Sequence, residues 1–339
     1  MALVCIWALE QYFAPSLSRY NSHEVDNILT FIERSNVFND KKVLIMGDSV
    51  SLRAARHYGK YFGNDYTYNL STNQAIEISG QYFILKRLIS LGKLPNLKKV
   101  AIYVHQLGTN LSSAYVENFV LRTFFRGKEI VDVFDSKKDI SIALKMVLYN
   151  WSPIFRYRLH VQKKLMGFTN SNVYSGLPLN GSYGATSYSL NNIIHSYLAK
   201  NTSKNHLESL IKLLYKHKVD IRLYIRPLVH HVDTYYMPDE IAQKTKSALE
   251  SFGGKVVNFP EVIDGSKTLE ISLNSPYLEH LQIKYSNFSF YKQSIILPKD
   301  HTTDGVHPNT IGFKKYKELY LNSYFDFINS KKNKNHAKK

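Results

Sequence analysis

The 339-residue chain is 44% hydrophobic and 13% aromatic, with 25 Tyr and 18 Phe, which is enough apolar surface to offset chain entropy and excludes a disordered polymer. Its one cysteine, Cys5, excludes an internal disulfide and a cysteine-based zinc site, and with no reactive motif around it this thiol reads as a passive apolar residue. A formal charge of +17 suits a polyanionic partner, but the basic residues are scattered and the only dense run is the 331–339 tail, so nucleic acid is not the expected partner.

Residues 1–9, MALVCIWAL, are apolar, too short to span a bilayer, and lack the basic flank and cleavage site of a signal peptide. Two readings stand for them: the trailing end of a membrane anchor, or a buried strand or helix turn. Residues 1–40 are accordingly set apart from a main domain at 41–330. Within it, 42–47 (KVLIMG) reads as a strand and 51–62 as a helix, separated by a tight turn. A strand at 66–70, a helix at 75–91 ending near Gly92, and a strand at 99–105 follow. From about 112 to 205 the composition turns to Tyr, Arg, Lys, Asn and Ser, which reads as a helical and loop insertion. Alternation then resumes, with helices at 206–217 and 239–252 and extended runs at 220–229 and 255–259. A loop at 297–309 leads into an aromatic helix at 310–328, whose aromatic spacing fits core packing better than a stacking platform. Residues 331–339 read as a disordered basic tail. This alternation favours a mainly parallel sheet with helices on both faces.

Two motifs carry chemistry. Gly47-Asp48-Ser49 closes the first strand, where a serine at the strand-to-helix turn presents its hydroxyl at the ligand-gathering end of the sheet. The bland alternative is a helix N-cap by Asp48 or Ser49. Asp304-Gly305-Val306-His307-Pro308-Asn309 precedes the last helix and supplies what a serine nucleophile needs: an imidazole base and a carboxylate to hold its tautomer. Its bland alternative is a helix-capping turn with an exposed histidine.

Together, Gly47-Asp48-Ser49 and Asp304 to His307 resemble the first and last blocks of the SGNH/GDSL hydrolase superfamily. The resemblance implies a flavodoxin-like three-layer α/β/α sandwich with Ser49, His307 and Asp304 as a catalytic triad. Gly108-Thr109-Asn110 reproduces three positions of that family's third block, with Leu111 in place of its Asp, and makes Asn110 the candidate side-chain donor to an oxyanion. The second-block glycine is missing from Tyr68-Asn69-Leu70-Ser71-Thr72-Asn73-Gln74-Ala75, leaving a backbone N–H between Ser71 and Gln74 to complete the oxyanion hole. The chain therefore looks more like the divergent SGNH domains of cell-envelope proteins that modify polysaccharides.

The expected activity is acyl-ester chemistry through an acyl-Ser49, ending in O-acyl (acetyl) transfer to, or hydrolysis from, an envelope polysaccharide. It calls for no metal or organic cofactor. Expected partners are an acylated carbohydrate or acyl donor and a membrane acyltransferase, at a location facing the periplasm or exterior, or in the cytoplasm if nothing precedes Met1. One rival is a non-catalytic carbohydrate- or envelope-binding module, which the missing glycine favours. Another is a metal site built from His230, His231 and Asp233 or from His301, Asp304 and His307, which would leave the Ser49 block unexplained. Arg226 and His230, at the end of the 220–229 strand, are placed to meet substrate.

Overall fold

Strands that are apolar along their whole length belong inside a sheet covered on both faces, and two segments of this chain meet that description. The computed structural model describes residues 2–19, 31–52, 66–71, 77–104, 147–148, 151–156, 202–229, 255–257, 266–303 and 307–330. Among these the strands are β1 (Val43–Met46), β2 (Thr67–Asn69), β3 (Lys99–Val104), β4 (Asp220–Ile225), β5 (Leu228–Val229), β6 (Lys255–Val257), β7 (Leu269–Asn274), β8 (Phe288–Tyr291) and β9 (Gln293–Leu297). The helices are α1 (Ala2–Arg19), α2 (Glu77–Ser90), α3 (Pro153–Arg156), α4 (Thr202–Lys216), α5 (Pro276–Lys284) and α6 (Thr310–Asn329). β1 and β3 are buried at every position.

Five strands in the order β2-β1-β3-β4-β8 form a sheet in which every pair is parallel, with Leu44 opposite Tyr68 and Val100, and Leu223 opposite Ile102 and Phe290. Side chains alternate between its faces. Leu44, Met46, Val100, Ile102, Ile221 and Leu223 join a core with Ile84 and Leu88 of α2, Leu210 and Leu214 of α4, and Leu278 and Leu281 of α5. Ile32 and Phe38, ahead of β1, belong to the same core. On the opposite face Ile45, Ala101, Tyr103 and Tyr224 meet Phe313, Tyr316, Tyr320 and Tyr324 of α6. The expected mainly parallel sheet with helices on both faces is therefore present, and α6 is core packing. The strand order reverses between β1 and β3, and ligands of such sheets bind in the crevice at the carboxyl ends there.

One extended run predicted at 220–229 is two strands in two sheets. Arg226 N–H still donates to Val104 O at 2.9 Å, but Pro227 has no N–H to continue the ladder. Beyond it β5 pairs in parallel with β9, which follows β8 across Lys292. β9, β7 and β6 then pair antiparallel, completing a four-stranded sheet in the order β5-β9-β7-β6 that the sequence reading did not foresee.

The buried reading of the N-terminal run is overturned, because it lies within the 18-residue helix α1, along which Val4, Ile6, Trp7 and Leu9 are exposed. No helix among the described residues is long and apolar enough to cross a membrane. The helix expected from 51 begins at Ser49 and is described through 52. The helix expected at 239–252, the tail at 331–339, and most of the 112–205 insertion lie outside the described residues.

Candidate active site

β1 ends at Met46 and the chain turns immediately into a helical turn whose first residue is Ser49. Gly47 makes this turn: a Cβ there would stand 2.4 Å from Ser51 Oγ and 3.1 Å from Tyr103 Cβ, so no side chain fits without displacing the turn that carries Ser49. Asp48 caps the turn. Its Oδ1 accepts from Val50 N–H at 3.0 Å and more weakly from Ser51 N–H at 3.4 Å. The N-cap alternative and the site reading thus fall on neighbouring residues, Asp48 and Ser49.

The other carboxylate oxygen of Asp48 lies 2.9 Å from Arg226 Nε, as an ion pair rather than an aligned hydrogen bond. The two side chains are only 7% and 11% exposed, so each charge depends on the other for compensation. Arg226, expected to meet substrate, is paired with Asp48, which caps the turn carrying Ser49. Tyr316 lies in the field of the same carboxylate, and burial above all, with nearby charge including Asp48, holds its hydroxyl well above the usual tyrosine range.

The second arm is a bracketed loop. Asn309 N–H donates to His301 O at 2.8 Å, Thr303 N–H donates to His307 O at 2.8 Å, and Thr302 and Pro308 form an antiparallel bridge. Asn309, not Asp304, caps α6, its Oδ1 accepting from Ile311 and Gly312 N–H at 3.0 and 3.2 Å. Gly312 lets the helix close on this bracket, since a Cβ there would meet His301 O at 2.4 Å. His307 itself is 6% exposed, against the reading of an exposed loop histidine.

These two arms, 258 residues apart in sequence, bring His307 Nε2 to 2.8 Å from Ser49 Oγ. With Nε2 unprotonated, the serine hydroxyl donates to it, the ground-state contact of a serine nucleophile and its base. Asp304 and Asn110 lie outside the described residues, as do His230, His231 and Asp233. His301 lies away from the Ser49 contact, with its Nδ1 at 3.5 Å from Thr268 Oγ1.

At the end of β2, Asn69 Oδ1 accepts from Ser71 N–H at 3.0 Å. This Asx turn occupies one of the backbone donors expected for the oxyanion hole and leaves 72–74, which lie outside the described residues. The sequence reading missed the Asp48–Arg226 pair. Its signal was present: an acidic residue beside a candidate nucleophile and an arginine at the end of a neighbouring apolar strand cannot both be buried unpaired.

No family model matches this chain, and no curated protein or solved structure is significantly similar to it.

Proposed function

We propose that the protein is a serine-dependent acyl-ester enzyme of SGNH/GDSL type, working on acylated carbohydrate of the cell envelope. The observation that carries this reading is the 2.8 Å contact between Ser49 Oγ and His307 Nε2 at the carboxyl end of a parallel sheet. In the proposed reaction Ser49 Oγ attacks the ester carbonyl as its proton passes to His307 Nε2. The tetrahedral oxyanion is held by Ser49 N–H, the first donor of its helical turn, and by Asn110. Collapse expels the alcohol, which takes the proton from His307, and leaves an acyl-Ser49. Water or a sugar hydroxyl then attacks the acyl carbon, giving its proton to His307, and collapse of this second intermediate returns that proton to Ser49 Oγ as the acid or the acylated sugar leaves. Asp304 is assigned the carboxylate role on the other ring nitrogen. Transfer is favoured over hydrolysis where a bound hydroxyl outcompetes water.

A fluorophosphonate probe tests the nucleophile directly. Labelling of the wild type at Ser49, lost in Ser49→Ala and reduced by about three orders of magnitude or more in His307→Ala, is the expected result. Labelling that persists in Ser49→Ala shows that another residue is the nucleophile, and absence of labelling in the wild type overturns the proposal in favour of a non-catalytic module.

A further inference from the structure

Both tryptophans of the chain are exposed and lie on or beside two helices that pack together. Trp7 of α1 is 42% exposed and Trp151, just before α3, is 53% exposed. α1 packs against α3, and Gln11 Nε2 donates to Trp151 O at 3.3 Å. Val4, Ile6, Leu9 and Tyr12 on α1, with Leu148 and Ile154 on the other segment, extend the exposed surface. Single exposed apolar residues need no explanation, but a group of this size on two packed segments marks an interaction site.

The shape of the apolar surface selects its partner. Residues 2–9, ALVCIWAL, contain no polar side chain. At about 3.6 residues per turn, Val4, Ile6, Trp7 and Leu9 project in four directions around the axis. A helix seated in a protein groove buries one stripe and keeps a polar back, whereas a helix apolar on every side is one that is surrounded. Such a segment can enter one leaflet, with Tyr12 and Trp151 following at the depth where aromatic rings meet headgroups.

Charge selects the lipid. Between Ile140 and Leu207 the sequence has no Asp or Glu but carries Lys145, Arg156, Arg158, Lys163, Lys164, Lys200 and Lys204, within a chain whose formal charge is +17. Basic residues flanking an apolar insertion are attracted to anionic headgroups. We propose that the surface formed by α1 and α3 docks on an anionic lipid leaflet, with residues 2–9 among the acyl chains. This inference is independent of the chemistry at Ser49.

Because Trp7 and Trp151 are the only tryptophans, intrinsic fluorescence of the full chain reports on this surface alone. Vesicles of phosphatidylcholine with phosphatidylglycerol should shift the emission to the blue, and brominated acyl chains in the same vesicles should quench it. Pure phosphatidylcholine vesicles should bind at least about tenfold more weakly, and Trp7→Asp or Leu9→Asp should weaken binding to the anionic vesicles by a similar factor. Ile283→Asp, at an exposed apolar residue of α5, should leave binding unchanged. Trp7 and Leu9 are exposed and belong to neither core, so both α1 variants should melt as the wild type does. Three outcomes overturn the proposal: no spectral change with any vesicle, equal affinity for neutral and anionic vesicles, or self-association abolished by Trp7→Asp in a chain that ignores vesicles.

Discussion

On one face of the central sheet, aliphatic side chains of β1, β3 and β4 meet aliphatic side chains of α2, α4 and α5. On the other, Tyr103 and Tyr224 stack at 4.7 Å, Tyr316 and Tyr320 stack at 4.7 Å, and α6 lies across them. The first face gains from burial without direction, so its helices are held down but not held to one register. The second adds directed bonds. Tyr320 OH donates to Ile225 O at 2.6 Å, Tyr291 OH donates to Leu319 O at 3.0 Å, and Arg222 Nη1 donates to Ser323 O at 2.8 Å. Lys99 Nζ reaches the far end of α6, donating to Phe327 O at 2.5 Å and Ser330 O at 2.7 Å, where cations also answer the helix dipole. α6 is the helix whose N-terminus carries the His307 bracket, so the bonds of this face tie the segment that follows His307 to the sheet.

The largest expected effect at the aromatic face is alkaline. Burial raises the hydroxyls of Tyr103, Tyr316, Tyr320 and Tyr324, and pushes Tyr224 up to about 12. An unfolded tyrosine ionises near 10, so above that pH the unfolded chain holds fewer protons than the folded one. The stability these groups contribute is therefore complete below about pH 10 and is lost as pH rises towards their folded values. Each such tyrosine costs about 1.4 kcal/mol of stability per pH unit in that window. Urea midpoints should fall steeply between about pH 10 and about pH 12, with tyrosinate absorbance appearing together with unfolding. A flat profile over that range, or tyrosinate forming ahead of unfolding, would remove the distinction between the faces.

Next in size is Arg226→Met. It leaves the Asp48 carboxylate buried without its counter-charge, which costs about 3–5 kcal/mol. Because Asp48 also caps the turn carrying Ser49, the rate of fluorophosphonate labelling should fall as well. Arg226→Lys should restore part of both, since a single ammonium can face Oδ2. Loss of stability with an unchanged labelling rate in the folded fraction would show that the pair is structural only.

Much of this arrangement could be read before the fold was seen, and the reason differs by region. Gly47 to Ser49 and His307 to Asn309 stand at element boundaries, where turn chemistry is local and a few residues state it. β1, β3, α4 and α6 are long or strongly patterned and were legible from periodicity. The second sheet was not, because β5, β6 and β9 are two to five residues long and Pro227 divides a run that reads as one strand. Pairing partners at long range, such as Leu228 with Ile296, leave no trace in either segment alone. The ion pair of Asp48 and Arg226 is of the same kind: each residue is ordinary until the topology sets β4 beside β3 and β3 beside β1.

The smallest predicted effect separates the two faces most sharply. Tyr320 OH bonds Ile225 O and stands 3.1 Å from Ser294 Oγ, so it ties α6 to the residue just before Arg226. Tyr320→Phe keeps the ring and its stacking on Tyr316 and removes only that tie, which should cost about 1–2 kcal/mol because Ile225 O is left buried with fewer donors. Ile221→Val on the aliphatic face should cost a similar 0.5–1.5 kcal/mol, roughly, through a lost methylene. If directed bonds on the polar face hold α6 in register, Tyr320→Phe slows labelling of Ser49 several-fold in the folded protein while Ile221→Val does not. Matched stability losses make the comparison fair, because any general softening would slow both variants alike. Equal labelling rates in the two variants would mean that the bracket around His307, and not the face beneath α6, sets the distance to Ser49.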